Sequence, residues 1–370
     1  MQYNDFQDLK LSALGLGCMR LPTVDGQYGK IDVKATEDMV AYAMAQGINY
    51  YDTAWRYHEG TSESVIGEVL SKYPRESYYL ASKFPGFGKE ELEKKEEIFE
   101  AQLKKCKTDY FDFYLFHCVY EGTVDGYLDP AYGLLEYLLE QKKAGRIRHL
   151  GFSSHGKLPT LKRFLDAMQG HVEFCQIQLN WMDWNLQDAK GQVEMLRQYG
   201  LPIWVMEPVR GGNLADLPEK FDSRLRAVHP NWTNPQWAFR FLQGIEGVTV
   251  VLSGMSNMQQ LQQNIDTFAE KKPLTEAEQQ LLLDVAADMN FTNTLKCTGC
   301  RYCTTKCPQE LAIPELIKRY NKYIFSGKLN MTDAGEKETP DACVGCQMCE
   351  TVCPQNIKIA EMMADMREKL

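Results

Sequence analysis

The chain has 370 residues, 44% of them apolar and 25% charged, with a net charge of −9. That length exceeds the roughly 250 residues one α/β barrel requires, so a second unit is expected. The acidic balance, with no Lys/Arg-rich block, argues against a nucleic-acid or acidic-membrane partner, and no apolar run approaches the ~20 residues that span a bilayer. With no charged-then-apolar signal at its N-terminus, the chain reads as a cytoplasmic protein.

In chain order, eight short β-rich runs alternate with amphipathic helical stretches, the pattern of βα units around a parallel sheet. The strand candidates are Leu11–Met19, Ile48–Asp52, Tyr78–Lys83, Phe111–His117, His149–Ser153, Phe174–Leu179, Pro202–Met206 and Val248–Leu252. Gly47, Gly145, Gly170, Gly200 and Gly244 each follow a helical stretch, where a left-handed residue ends a helix. Asn257 is placed to cap the eighth helix. Eight such units close into a (β/α)8 TIM barrel over residues 1–270. An open doubly wound sheet is the alternative, but Gly15-Leu16-Gly17-Cys18-Met19-Arg20 lacks the G-x-G-x-x-G turn that fold uses. Residues 271–290 read as a connector with a Leu-rich helix, and 291–370 as a small cysteine-rich domain.

Barrels of this kind carry their chemistry at the C-terminal ends of the strands. Four ionisable residues stand there: Asp52, Tyr57 just beyond it, Lys83 and His117. A phenol is a poor proton donor or acceptor at neutral pH unless its anion is stabilised. Lys83 against Tyr57 is expected to lower the phenol's pKa, with Asp52 keeping the lysine charged and His117 orienting a substrate oxygen. Each residue alone has a bland reading as a loop hydrogen-bonder or packing side chain; four on successive strand ends are harder to dismiss.

The order D-T-A-x-x-Y, then S-E, S-K and F-H resembles the aldo-keto reductases over about residues 9 to 268. That resemblance implies a TIM barrel reducing aldehydes and ketones with NADH or NADPH, and maps the family's tetrad onto Asp52, Tyr57, Lys83 and His117. It also implies nucleotide contacts. Ser153, Ser154 and Gln176 fall at the carboxamide positions, and Met206 stands where many members stack an aromatic ring on the nicotinamide. Gly17 and Met19 lie at the first strand's end. Pro208, Val209, Arg210 and Gly211 follow the seventh strand at the pyrophosphate. Ser253, Gly254, Asn257, Gln260 and Asn264 match the adenosine-phosphate loop. That loop has no Lys or Arg to pair a 2′-phosphate, which favours NADH. Trp55 and Trp181 read as core residues or as walls of a substrate pocket.

Eight of the 12 cysteines fall in two runs, Cys297-x2-Cys300-x2-Cys303-x3-Cys307-Pro308 and Cys343-x2-Cys346-x2-Cys349-x3-Cys353-Pro354. Two-cluster ferredoxins use three thiolates of one run and the fourth of the other for each [4Fe–4S] cluster. One centre then takes Cys297, Cys300, Cys303 and Cys353, the other Cys343, Cys346, Cys349 and Cys307. Zinc, which prefers separated C-x2-C pairs, fits this spacing poorly, and disulfides suit a short secreted chain. Such clusters pass single electrons whereas a nicotinamide passes hydride, and no flavin signature joins the two. Three readings stand: a carbonyl reductase with structural or redox-sensing clusters; an oxidoreductase linked through them to a ferredoxin or flavoprotein partner; or a nucleotide-binding redox sensor.

Overall fold

The computed structural model describes residues 1–289, 294–326, 329–332 and 334–370. The expected boundary between 290 and 291 lies outside the described residues. Among the described residues there are ten strands: β1 (Tyr3–Phe6), β2 (Leu9–Ser12), β3 (Leu14–Gly17), β4 (Tyr50–Asp52), β5 (Tyr79–Phe84), β6 (Phe111–Val119), β7 (Ile147–Ser154), β8 (Cys175–Gln178), β9 (Ile203–Met206) and β10 (Val248–Ser253). Strands β3 to β10 form a closed, wholly parallel barrel in chain order, with β10 pairing back onto β3. The open sheet is thereby excluded.

The first strand candidate needs correction. Residues Leu11–Met19 divide between the second arm of an antiparallel hairpin, β1–β2, and the first barrel strand. Phe6 of the hairpin packs into the barrel floor, its ring centroid 5.6 Å from Phe113 and 5.1 Å from Trp204.

Alternation along the strands decides what enters the barrel. Tyr50, Ala81, Phe113, Leu115, Phe174, Trp204, Val250 and Leu252 form one buried cluster. Two residues further along the same strands come Asp52, Lys83, His117, Gln176 and Met206, so the apolar core continues upward into a polar layer at the C-terminal rim. Asp52 pairs in register with Gly17 and Ala81, and Lys83 with Leu115.

Helix ends follow side-chain chemistry. Asp32 Oδ1 accepts from Ala35 N at 2.9 Å to start the helix Val33–Ala45. Asn257 Oδ1 accepts from Gln260 N at 2.9 Å to start Met258–Thr267. Of the five glycines expected in the left-handed region, Gly244 is not, with φ of −88°. The reversal falls instead at Gly247, φ +92°.

By internal contacts the chain divides into two compact units, Met1–Val209 with Leu214–Leu283, and Arg210–Asn213 with Asp284–Leu370. The second is a duplicated motif. Each cysteine run places left-handed backbone at matching positions: Gly299 and Gly345, Arg301 and Gln347, Glu310 and Asn356. Helices Ile313–Ser326 and Ile359–Glu368 follow the two Cys-Pro ends. Their Leu316, Ile317, Met362, Met363 and Met366 form the unit's core together with Cys303, Cys349 and Cys353.

Candidate active site and cysteine cradles

At the rim, Lys83 Nζ lies 2.6 Å from Asp52 Oδ1, 2.8 Å from Thr53 O and 3.3 Å from Tyr57 OH. All three of the lysine's donors are thus used, two to fix it and one to reach the phenol. His117 meets Tyr57 edge to face at 6.0 Å between ring centroids, and Phe87 at 5.3 Å. The four tetrad residues are together and buried.

Burial dominates their protonation. It pushes the Asp52 carboxyl up against the pull of Lys83, and the Lys83 ammonium down against the support of Asp52. The expectation that Lys83 lowers the phenol's pKa is not met: burial, reinforced by the Asp52 charge, holds Tyr57 well above the usual tyrosine range. The carboxylate in contact with Lys83 cancels most of the field the phenol would feel. His117 is held well below 6.5, first by burial and then by Lys83. At neutral pH the site therefore holds a protonated phenol beside a neutral imidazole.

Behind this layer, a buried network braces β5. Glu63 Oε1 accepts from Ser82 Oγ at 2.7 Å and Gln102 Nε2 at 2.6 Å, while the same amide reaches Lys83 O at 3.0 Å. Ser62 Oγ lies 2.9 Å from Thr53 Oγ1 and donates to Cys18 O at 2.9 Å. The S-E pair after Tyr57 and the Thr53 of D-T-A were legible, but Gln102 was not, because nothing in sequence spacing links it to Ser82.

The expected carboxamide residues lie on adjacent strands, with Ser153 opposite Gln176 in register. Gln176 Oε1 is buried without a hydrogen-bond partner among the described residues, and its Nε2 rests on Met206 Sδ at 3.6 Å. Ser153 Oγ accepts from Cys118 N at 2.8 Å, which leaves its hydrogen available. A donor beside an unused acceptor suits an amide. Ser154 is otherwise engaged: its hydroxyl donates to Val119 O at 3.2 Å and accepts from Gly156 N at 3.1 Å.

In the loop after β10, Asn264 Nδ2 donates to Ser253 Oγ at 3.1 Å and Gln260 Oε1 accepts from Ser256 N at 2.8 Å. Asn257 and Gln260 thus serve the helix start. The sequence missed Arg20: its side chain lies so close along Gly254 that a Cβ there would meet it at 3.0 Å. Gly17 ends β3, Met19 follows it, and Pro208 and Val209 stay with the barrel unit, whereas Arg210 and Gly211 group with the second unit. Trp181 is buried and Trp55 carries Lys105 Nζ 3.8 Å from its ring centroid.

In the second unit the eight thiols line two separate cavities. Cys297, Cys300, Cys303 and Cys353 line one, with Ile317 and Ile357. Cys307, Cys343, Cys346 and Cys349 line the other, with Leu311, Ile359 and Met363. Each cradle thus takes three cysteines from one run and one from the other. No three His, Cys, Asp or Glu among the described residues converge on a single ion; in a cubane each thiolate binds its own iron, so its ligands stand apart.

Residues 13–285 match the model of the Aldo/keto reductase family. The chain belongs to this family. Residues 296–357 match the 4Fe-4S dicluster domain, so this aldo/keto reductase carries a dicluster domain after its barrel. It is 27% identical over 303 residues to the uncharacterized oxidoreductase YqkF of Bacillus subtilis, covering 73% of this chain and 91% of that protein. It is 26% identical over 228 residues to the NADH-specific methylglyoxal reductase of Escherichia coli, covering 56% and 66%. The aldo-keto reductase AKR11C1 of Bacillus halodurans, in its holo form, superimposes with a TM-score of 0.64 at 26% identity, covering 77% of this chain and 96% of that one. No helix among the described residues is long and apolar enough to cross a membrane.

Proposed function

We propose that the barrel interconverts a carbonyl and an alcohol with a nicotinamide dinucleotide, Tyr57 serving as the acid, and that the cysteine unit holds two [4Fe–4S] clusters. The observation that carries the first part is Lys83 Nζ joining Asp52 at 2.6 Å to Tyr57 OH at 3.3 Å on the C-terminal rim. The bound nucleotide supplies or accepts hydride. The chain's own residues do the rest. Tyr57, protonated at neutral pH, gives its proton to the carbonyl oxygen; Lys83 stabilises the phenolate left behind; Asp52 holds the lysine; and neutral His117 donates a hydrogen bond to the reacting oxygen. Ser153 and Gln176 would hold the carboxamide, and Met206 would offer the nicotinamide an apolar face.

NADH is the preferred nucleotide, since the loop after β10 contributes no cation of its own and a relative is named for NADH. Arg20, whose aliphatic stem lies along Gly254 of that loop, supports NADPH as a second reading, since it brings a cation to the loop. In the second unit, two four-cysteine cradles with crossed ligand sets support Cys297, Cys300, Cys303 and Cys353 around one cluster and Cys307, Cys343, Cys346 and Cys349 around the other. The test mixes anaerobically purified protein with methylglyoxal and either NADH or NADPH. Alcohol formation at the expense of NADH is expected, and tighter binding of NADPH would reverse the nucleotide assignment. Inertness toward a panel of aldehydes and ketones with both nucleotides would overturn the reaction itself.

A further inference from the structure

The segment carrying Tyr57 runs into two residues that this chemistry leaves unused. His58 and Glu59 both adopt left-handed backbone, with φ of 51° and 57°, a region that disfavours side chains with a Cβ. His58 is nevertheless buried, and one loop engages both of its ring nitrogens. Nε2 accepts from Leu21 N at 3.0 Å, which leaves the proton on Nδ1, 2.6 Å from Tyr28 O. The imidazole also stacks on the Tyr28 ring at 4.6 Å and 20°. Thr61 Oγ1 adds a bond to His58 O at 2.7 Å and lies 3.4 Å from Gly29 O in the same loop.

That loop, residues 21–31, leaves the end of β3 and folds back on itself. Val24 N donates to Lys30 O at 2.9 Å, and Asp32 N to Pro22 O at 2.8 Å. Just ahead of the loop, Ser256 Oγ donates to Arg20 O at 2.9 Å. Stacking on His58 and the bond to its Nδ1 hold Tyr28 against the residue that directly follows Tyr57. A glycine at position 58 would satisfy the backbone with no strain. The imidazole satisfies it while taking an N–H, giving one to a carbonyl and covering a ring.

We propose that His58 is a positioning residue: it latches loop 21–31 to the Tyr57 segment and so sets Tyr28 as a wall of the carbonyl site beside the Tyr57 hydroxyl. This assignment rests on the carbonyl reading above. The latch requires a neutral ring, because a protonated Nε2 cannot accept from Leu21. Burial and the Arg20 charge favour that form, against the Tyr28 carbonyl.

His58→Gly separates the latch from the backbone, since glycine is at ease where His58 sits. Its Leu21 amide should exchange with solvent about tenfold faster than in the wild type, as expected for one lost hydrogen bond. KM for methylglyoxal should rise about tenfold, with the loss falling on KM rather than kcat and the NADH dissociation constant unmoved. Tyr28→Ala should give the same rise in KM while Leu21 stays protected. Wild-type KM together with wild-type Leu21 exchange in His58→Gly would overturn the latch. A wild-type protein inert toward the whole panel of aldehydes and ketones with both nucleotides would count against the carbonyl reading alone, and Leu21 exchange would then decide the latch by itself.

Discussion

At the scale of single residues, burial rather than charge sets the chemistry of the site. Tyr57 lies 3.3 Å from an ammonium, yet its phenol is held well above 10, first by burial and then by the charge of Asp52, which sits 2.6 Å from the same ammonium. Reduction needs Tyr57 protonated, a form lost only as pH rises through its raised folded pKa. It needs His117 neutral, a form lost only as pH falls through a value well below 6.5. A plot of kcat against pH should therefore run flat through neutrality, and a limb centred near pH 7 would contradict these assignments. Asp52→Asn leaves Lys83 buried without a counter-charge. Such breaks cost about 3 to 5 kcal/mol, and thermal or urea unfolding of the variant should show a loss of that order together with a fall in kcat.

At the scale of elements, alternation along strands was the readable signal. Tyr50 and Asp52, Ala81 and Lys83, and Leu115 and His117 step up one face of their strands, which puts Asp52, Lys83 and His117 in one layer, while Tyr57 comes from the segment after β4. The hairpin β1–β2 was not legible: its four-residue arms carry Asp5 and Lys10, and no strong apolar alternation separates β2 from β3. The pKa of Tyr57 was illegible too, because it depends on packing around Asp52 and Lys83 that spacing does not encode. The same limit hid the tie between the hairpin and the barrel. Glu173, just before β8, accepts from Gln7 Nε2 at 2.8 Å, lies 2.8 Å from His149 Nδ1 and pairs with Lys142. Burial would raise its carboxyl, but bonds from His149, Lys142 and Gln7 outweigh it and bring the group down to about 2. A depressed carboxyl stabilises the fold above its unfolded pKa, here 4.5, and that stability drains away as pH falls toward about 2. At most about 3 kcal/mol is involved. Glu173→Gln should be less stable at neutral pH and should lose the steep decline between those values; an unchanged acid-unfolding curve would remove Glu173 from this role.

At the scale of the whole molecule, the cysteine spacing was the most explicit signal: two runs of identical spacing line two cavities, each with three cysteines of one run and one of the other. The sequence could not show that Arg20 adjoins the loop after β10, because Arg20 reaches Gly254 only once β3 and β10 are neighbours. On the two-cluster assignment, iron and acid-labile sulfide should each approach about eight per chain after anaerobic purification, and stoichiometric zinc would refute it. Hydride arrives as an electron pair, so NADH alone should leave the cluster absorbance unbleached, and added flavin should allow it to fall. Rapid bleaching without flavin would show a direct electron path. The central claim, that Tyr57 donates the proton at the rim of this barrel, is tested most directly by Tyr57→Phe. Steady-state reduction of methylglyoxal should be abolished while NADH binds with wild-type affinity. Turnover at the wild-type rate in that variant would contradict the account.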